Sequence, residues 1–98
     1  MSPVREARLI IPANTSVQNS EFERDLIHDF GGFTSFEVYG GWFGNSGPEY
    51  EYGTAYDIAV PDNAETYDKL EALTKNVKRR FKQDSVYLRF PNGEVRFI

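Results

Sequence analysis

The sequence contains no cysteine and a single histidine, His28, among its 98 residues. Without cysteine the chain can form no disulfide scaffold, thiolate zinc site or iron–sulfur cluster, and it has no cysteine nucleophile. One histidine likewise excludes a zinc site built from several imidazoles, and no loop of regularly spaced acidic residues indicates a calcium or magnesium site. We therefore expect no metal ion and no cofactor.

Basic residues are scarce as well, because 11 lysines and arginines stand against 15 aspartates and glutamates, for a net charge of -4. A general DNA or RNA binder needs a basic surface that displaces counterions from phosphate. No apolar run approaches the roughly 18 residues of a membrane span, and the first apolar stretch is too short for a signal peptide. We therefore expect a soluble, cytoplasmic protein that binds neither long nucleic acids nor membranes.

The composition is that of a globular chain, with 40% hydrophobic and 27% charged residues. Prolines and glycines fall between periodic segments instead of forming a linker, and no internal repeat is present. The length suits one core and one site. The sequence therefore predicts a single domain over residues 1–98.

Hydrophobic periodicity predicts the element order β-α-β-β-α-β with a further terminal strand. The predicted segments are a strand over 8–11, a helix over 20–30, strands over 33–43 and 51–60, a helix over 62–81, and a hairpin over 86–98. Capping pairs indicate the helix starts, with Ser20 and Glu23 at the first and Asp62 and Glu65 at the second. The order predicts an α+β fold, a ferredoxin-like two-layer sandwich with a C-terminal β-hairpin extension. An unrelated α+β topology with the same element order is the alternative.

Three motifs resemble those of an uncharacterised family of small bacterial proteins, several of which are lipoproteins. The segments are 30–34 (FGGFT), 40–42 (GGW) and 80–86 (RFKQDSV), and the family carries fPdGlT, GqW and rFgQesV in this order. The likeness spans residues 21–88, but Gly31 and Gly32 replace the family's proline and aspartate, and no lipobox cysteine is present. The resemblance implies the same element order and no particular activity or membrane anchor.

A sheet covered by helices on one face leaves its other face open to water, a ligand or another subunit. Period two predicts these apolar side chains in the core: Phe36, Val38, Tyr56, Ile58, Val86 and Leu88. The residues expected to point outward are Arg8, Glu37, Tyr39, Gly53, Ala55, Asp57, Tyr87 and Arg89. Small residues among them leave a hollow that suits a ligand or a partner sheet. The alternative is a solvated face on which Arg89 pairs with Glu37 or Asp57.

Acid–base chemistry has few candidates in this sequence. Glu37 and Asp57 could form a carboxylate pair if neighbouring strands bring them together, since such work needs two groups with separated pKa values. His28 could act as a general base, although a lone histidine on a helix is more often a surface residue. Neither signal identifies a catalytic residue.

Five of the eleven basic residues crowd the end of the second predicted helix. They are Lys75, Lys78, Arg79, Arg80 and Lys82. This patch could hold a phosphate, a nucleotide or an acidic partner through charge-assisted hydrogen bonds. The alternative is that cations at a helix C-terminus offset the negative end of its dipole.

Aromatic rings surround the glycine-rich turn between the second and third predicted strands. They belong to Trp42, Phe43, Tyr50 and Tyr52. Rings beside such a loop can stack on a base or anchor a protein interface, or they can cap one end of the core.

The first functional hypothesis is a non-enzymatic binding module, a homo-oligomer that captures a small anionic, nucleotide-like ligand or an acidic partner, for example as a phage-type sponge or inhibitor. Its expected ligand-binding residues are Arg8, Glu37, Tyr39, Trp42, Tyr52, Asp57, Tyr87 and Arg89. A small cofactor-independent enzyme with a carboxylate base is the second hypothesis. The third is a structural interaction domain whose edge strand pairs with a partner.

Overall fold

The computed structural model describes residues 3–12 and 16–98. Within these residues the chain forms five strands and two helices, which confirms the predicted α+β class. The elements are β1 (Val4–Pro12), α1 (Ser16–Phe30), β2 (Thr34–Gly44), β3 (Gly47–Pro61), α2 (Ala64–Arg80), β4 (Tyr87–Arg89) and β5 (Val95–Phe97). In this part of the chain, neither helix is both long and apolar enough to span a membrane.

The strands form one antiparallel sheet in the order β2-β3-β1-β4-β5. The middle strand, β1, pairs with β3 along its whole length and with β4 over residues 8–10. Strand β5 returns beside β4 after the turn at 91–93, as the terminal hairpin predicted. Strands β2 and β5 are the two edges of the sheet.

Both helices pack on the same face of the sheet, where alternate residues of β1, β3 and β4 supply the core. Phe22 of α1 meets the ring of Tyr56 edge-on, with the centroids 5.1 Å apart. Burial of each large apolar side chain contributes roughly 1.5–3 kcal/mol. The fully buried side chains that form this core include Leu9, Ile11, Phe22, Leu26, Tyr56, Ile58, Leu70, Val77 and Leu88.

The helix starts differ from the predicted capping pairs. Helix α1 begins at Ser16, so Ser20 lies inside it. Helix α2 is capped by Asn63, whose Oδ1 accepts a hydrogen bond of 2.9 Å from the amide of Thr66. Asp62 instead accepts the hydroxyl of Tyr67 and pairs with Arg5, so its carboxylate anchors the strand end. Two adjacent cap-forming residues made the start ambiguous from sequence.

Side chains of strand β2 alternate as predicted, but the set predicted to face the core lies on the other side of the sheet. Its register places Phe36 opposite Ala55 and Val38 opposite Gly53, on the side away from the helices. Phe36 is 41% exposed, so the prediction that it belongs to the core is wrong. Both alternating sets of β2 contain large apolar residues, and therefore hydrophobic alternation could not decide the face. Pairing with β3 decides it, because Tyr56 and Ile58 point into the core.

The β2–β3 hairpin extends beyond the rest of the sheet. Strand β1 pairs with β3 no further than Gly53, so residues 39–52 form a two-stranded ribbon. Tyr39 stacks on Tyr50 at 6.0 Å and contacts Tyr52 at 4.8 Å. All three rings are more than half exposed. The ribbon thus creates a step where β1 ends and β3 continues.

Candidate functional site

The face of the sheet away from the helices, called here the open face, gathers residues from every strand. Directly opposed residues of an antiparallel pair share a face, which fixes the membership from the register. The open face includes Arg8, Ile10, Pro12, Phe36, Val38, Gly40, Trp42, Glu51, Gly53, Ala55, Asp57, Tyr87, Arg89, Val95 and Phe97.

An ion pair lies at the centre of the open face. Arg8 donates from Nε to Asp57 Oδ1 at 2.7 Å and from Nη2 to Oδ2 at 2.9 Å. The guanidinium of Arg8 also lies over the Phe36 ring, 5.0 Å from its centroid. Hydrogen bonding to Arg8 lowers the pKa of Asp57, and the same bond raises the pKa of Arg8. Asp57 is therefore a poor proton acceptor, and Arg8 is held rigidly.

A hollow of about 570 Å³ lies at the step where β1 and β4 end and the ribbon continues. Its floor is bare because Gly40 and Gly53 carry no side chain, and a Cβ added at Gly40 would meet no atom within 4 Å. Tyr87 and Phe97 meet edge-on at 5.9 Å along one side. The hollow is lined by the rings of Tyr39, Trp42, Tyr52, Tyr87 and Phe97 and by the carboxylates of Glu51 and Asp84.

The lining of this hollow suits a flat and positively charged ligand. Aromatic faces stack on planar rings and attract cations, and carboxylates stabilise positive charge. Among the described residues no lysine, arginine or histidine lines the hollow. The expected anionic ligand therefore has no charged partner there.

A second cavity of about 470 Å³ lies on the helix side, between α1 and the β2–β3 hairpin. Glu37 lines it together with Thr54 and Asn19. The Oδ1 of Asn19 is buried and has no hydrogen-bond partner in the described part of the chain. Because Glu37 lies on the helix side and Asp57 on the open face, the structure does not bring the predicted carboxylate pair together.

The predicted ligand-binding residues separate into two groups. Five lie on the open face: Arg8, Trp42, Asp57, Tyr87 and Arg89. Glu37, Tyr39 and Tyr52 belong to the opposite face by register, although the two tyrosines also border the hollow. The outward orientation predicted for Glu37 and Tyr39 is therefore wrong, for the same reason as for Phe36.

His28 lies on the outer surface of α1, away from the cavities described. Its Nδ1 is 2.9 Å from Asp29 Oδ1, and this contact raises the pKa of the imidazole. The side chain is 89% exposed. The structure gives His28 no neighbour on which it could act as a base within the site.

The basic cluster at the end of α2 is partly neutralised by neighbouring acids. Lys75 lies 3.5 Å from Glu71, one helical turn earlier, and Arg80 lies 3.2 Å from Asp25 of α1. The remaining members, Lys78, Arg79 and Lys82, surround the helix C-terminus, where cations offset the helix dipole. None of the five lines the hollow.

Sequence reasoning missed the acidic part of the site. Glu51 was assigned to the alternating pattern of β3, and Asp84 and Phe97 come from segments far away in sequence. The sequence carried no signal for this part of the site, because the pairing of Glu51 with Gly40, which leaves the carboxylate uncovered, depends on the strand register. No group of three or more histidine, aspartate or glutamate side chains within the described ranges could hold a metal ion.

No protein-family model matches the chain, and no curated protein sequence matches it significantly. The resemblance to the small bacterial family therefore stays a prediction. The fold is similar to that of a phage SAM lyase in complex with S-methyl-5'-thioadenosine, with a TM-score of 0.77 and 19% identity over 100% of this chain and 91% of that chain. A phage SAM lyase in the apo state matches with a TM-score of 0.66 and 19% identity, over 99% and 89%.

These comparisons correct the first functional hypothesis. The chain shares its fold, over nearly its whole length, with solved structures of an enzyme. They contradict the expectation of a non-enzymatic binding module, and with it the preference for a binding module over an enzyme. At 19% identity the likeness itself establishes the shared fold.

Proposed function

We propose that this chain is an enzyme that binds S-adenosylmethionine (SAM) in the hollow of the open face and cleaves it as a lyase. The observation that carries the proposal is the hollow itself, which combines a glycine floor, five aromatic rings and two carboxylates. The adenine ring can stack on an aromatic side chain, and the sulfonium can lie among rings and carboxylates. The fold shared with a SAM lyase along the whole chain supports this assignment.

The chemistry asked of the site is limited. Release of S-methyl-5'-thioadenosine from SAM breaks the bond between sulfur and the γ-carbon of the methionine chain, and both electrons stay on sulfur. The thioether leaves as a neutral molecule, so it needs no general acid. As the sulfur leaves, either the substrate's own carboxylate displaces it at the γ-carbon and forms a lactone, or a base removes a proton from the β-carbon and an alkene forms. Glu51 and Asp84 are the carboxylates placed at the hollow for the second route.

The decisive experiment is product analysis by liquid chromatography and mass spectrometry after incubation of the purified chain with SAM. We expect S-methyl-5'-thioadenosine, together with either a lactone or an unsaturated amino acid, which identifies the route. The variant Gly40→Val fills part of the hollow, and we expect it to fold because its Cβ enters open space. We expect this variant to lose activity by about tenfold or more, since a misplaced substrate costs that much.

Lys75→Ala provides the matched control, because Lys75 is exposed and lies outside the hollow. It should retain full activity. Absence of S-methyl-5'-thioadenosine with the wild-type chain would contradict the lyase. Full activity in folded Gly40→Val would contradict the hollow as its site.

We also propose that the chain is a homo-oligomer joined through the open face. Apolar side chains remain exposed there, with Phe97 at 70% and Val95 at 42%. Contiguous exposed apolar patches commonly mark protein interfaces. Light scattering after size exclusion should give a multiple of 11.3 kDa, and Val95→Asp should reduce it. A wild-type monomer at high concentration would contradict this part of the proposal.

The finer fold class belongs with these proposals. We assign the chain to the ferredoxin-like folds with a hairpin extension, and the order β2-β3-β1-β4 with both helices on one face supports it. The cytoplasmic location stays a prediction.

A further inference from the structure

Two arginines face each other on the open face, directly across β1 and β4. Arg8 and Arg89 are register partners, an arrangement that is destabilising for like charges unless an anion compensates them. Asp57 compensates Arg8 with both of its oxygens. Arg89 influences Asp57 through its charge alone, and in residues 3–12 and 16–98 it forms no ion pair with a carboxylate. Glu6, exposed two residues before Arg8 on the same face, likewise acts on Arg8 through its charge.

The two arginines lie one step along the sheet from the hollow. Tyr87 lines the hollow, and Arg89 follows on the same face of β4, about 7 Å further along the strand. On the neighbouring strand, Ile10 lines the hollow and Arg8 precedes it by the same distance, about 7 Å. The open face therefore offers a continuous path from an aromatic, acidic hollow to a cationic position.

We propose that Arg89 is the specificity residue that binds the α-carboxylate of the amino-acid end of the substrate. The proposal rests on the proposed function, since it takes the adenosyl group to lie in the hollow. A guanidinium binds a carboxylate through two parallel hydrogen bonds, and Arg89 is the open-face arginine whose donors no carboxylate in the described residues occupies. Arg8 is already held by both oxygens of Asp57 and lies over Phe36, so the Arg8–Asp57 pair is close to neutral and Arg89 supplies the positive charge.

This placement explains how a site could distinguish substrate from product. S-Adenosylmethionine carries a carboxylate at the end of its methionine chain, whereas S-methyl-5'-thioadenosine has lost that end. Arg89 therefore contributes to binding of the first molecule and not of the second. The product keeps only its contacts in the hollow and can leave.

The test compares two unreactive ligands by isothermal titration calorimetry on the intact chain. S-Adenosylhomocysteine carries the amino-acid end, and S-methyl-5'-thioadenosine lacks it. Arg89→Gln should lower the affinity for S-adenosylhomocysteine about tenfold or more, as expected for loss of a charge-assisted bidentate contact. It should change the affinity for S-methyl-5'-thioadenosine by no more than about twofold. Arg89→Lys should recover part of the lost affinity. Arg79→Gln, an exposed arginine on α2, should change neither affinity.

The outcomes separate this inference from the proposed function. Equal weakening of both ligands, or no weakening of either, would overturn the role of Arg89 and leave the hollow in place. If neither ligand bound to the wild-type chain, the proposed function would be overturned, and this inference with it. A change in the ratio of the two affinities cannot come from a general loss of structure, since both ligands share the hollow.

Discussion

The two faces of the sheet use the same strands for different purposes. On the covered face, Leu9, Tyr56, Ile58 and Leu88 are at most 1% exposed and meet apolar helix side chains. On the open face, one residue along each strand, lie an ion pair, a row of partly exposed rings and a hollow. Successive side chains of a strand point to opposite faces, so neighbours in sequence belong to different environments. The consequence is that substitutions one residue apart should have unrelated effects.

We expect the largest difference in stability between the two faces at the neighbouring residues Ile58 and Ala59. Ile58→Ala removes buried methyl groups from the covered face, and we expect it to lower the free energy of unfolding by about 3 kcal/mol. Ala59 is exposed on the open face, so Ala59→Ser should change the free energy of unfolding by less than about 0.5 kcal/mol. Urea denaturation followed by far-ultraviolet circular dichroism measures both. Similar losses in the two variants would mean that the open face is covered as well.

The two glycines of the hollow should also differ. A Cβ added at Gly53 would lie 2.7 Å from the carbonyl oxygen of Ile11, whereas at Gly40 it would meet nothing within 4 Å. We expect Gly53→Ala to destabilise by about 2 kcal/mol, because backbone of β1 and β3 must separate. Gly40→Ala should be neutral or stabilising by up to about 1 kcal/mol, since it restricts the unfolded chain. Thermal unfolding of the pair gives the comparison, and a larger loss at Gly40 would contradict the described register.

The hydrogen bond between Tyr56 and Glu23 on the covered face should make the stability depend on pH in the alkaline range. The Tyr56 hydroxyl donates to Glu23 Oε2 at 2.8 Å, and burial followed by this bond raises the pKa of Tyr56 above the ordinary 10.0. Tyr56→Phe should cost about 1.5 kcal/mol at neutral pH, as for a hydrogen bond to a charged group. Because the unfolded tyrosine ionises first, the contribution is present below pH 10 and falls above it.

The difference in stability between wild type and Tyr56→Phe should therefore narrow as the pH rises beyond 10. Chemical denaturation at pH 7, 10 and 11 tests this expectation. A gap that is constant through this range would show that the hydroxyl titrates freely in the folded chain.

The ion pair of the open face should titrate at the acidic end and with a smaller effect. The pKa of Asp57 is lowered below 3.8, chiefly by its hydrogen bonds to Arg8. Its stabilisation is therefore present above pH 4 and lost as the pH falls through the lowered pKa. Asp57→Asn should cost about 1 kcal/mol at pH 7, since the pair is partly solvated. Denaturation at pH 7 and pH 2.5 should show this difference shrinking, and a constant difference would contradict the pairing.

The covered face could be predicted in large part from the sequence. Leu70 and Val77 of α2 and Phe81 at its C-cap recur at helical spacing against a polar background, and all three are buried. Tyr56, Ile58 and Leu88 alternate with polar or small residues, which fixed their side of the sheet. In both cases the apolar residues followed a single period and occupied a single face, so the pattern determined which side is buried.

The open face could be predicted less well, because its geometry depends on register and on distant segments. Aromatic residues occupy both alternating sets of β2, so Phe36 and Glu37 were assigned to the wrong sides. The hollow joins Glu51, Asp84 and Phe97, and local patterns do not reveal that three separate segments end at one step. Arg8, Tyr87 and Arg89 were placed correctly on the open face, since the inward-facing residues of their strands were clear, whereas Trp42 was grouped with Phe36 in the set predicted to face the core. An enzyme was not the first choice because no catalytic motif is present.

Trp42 is the only tryptophan of the chain, and it lies at the rim of the hollow, 46% exposed and outside the core. Its emission therefore reports the environment of the ribbon and not that of the core. A planar ligand stacked in the hollow should quench the same emission strongly. The chain thus carries a built-in optical probe of occupancy of the hollow.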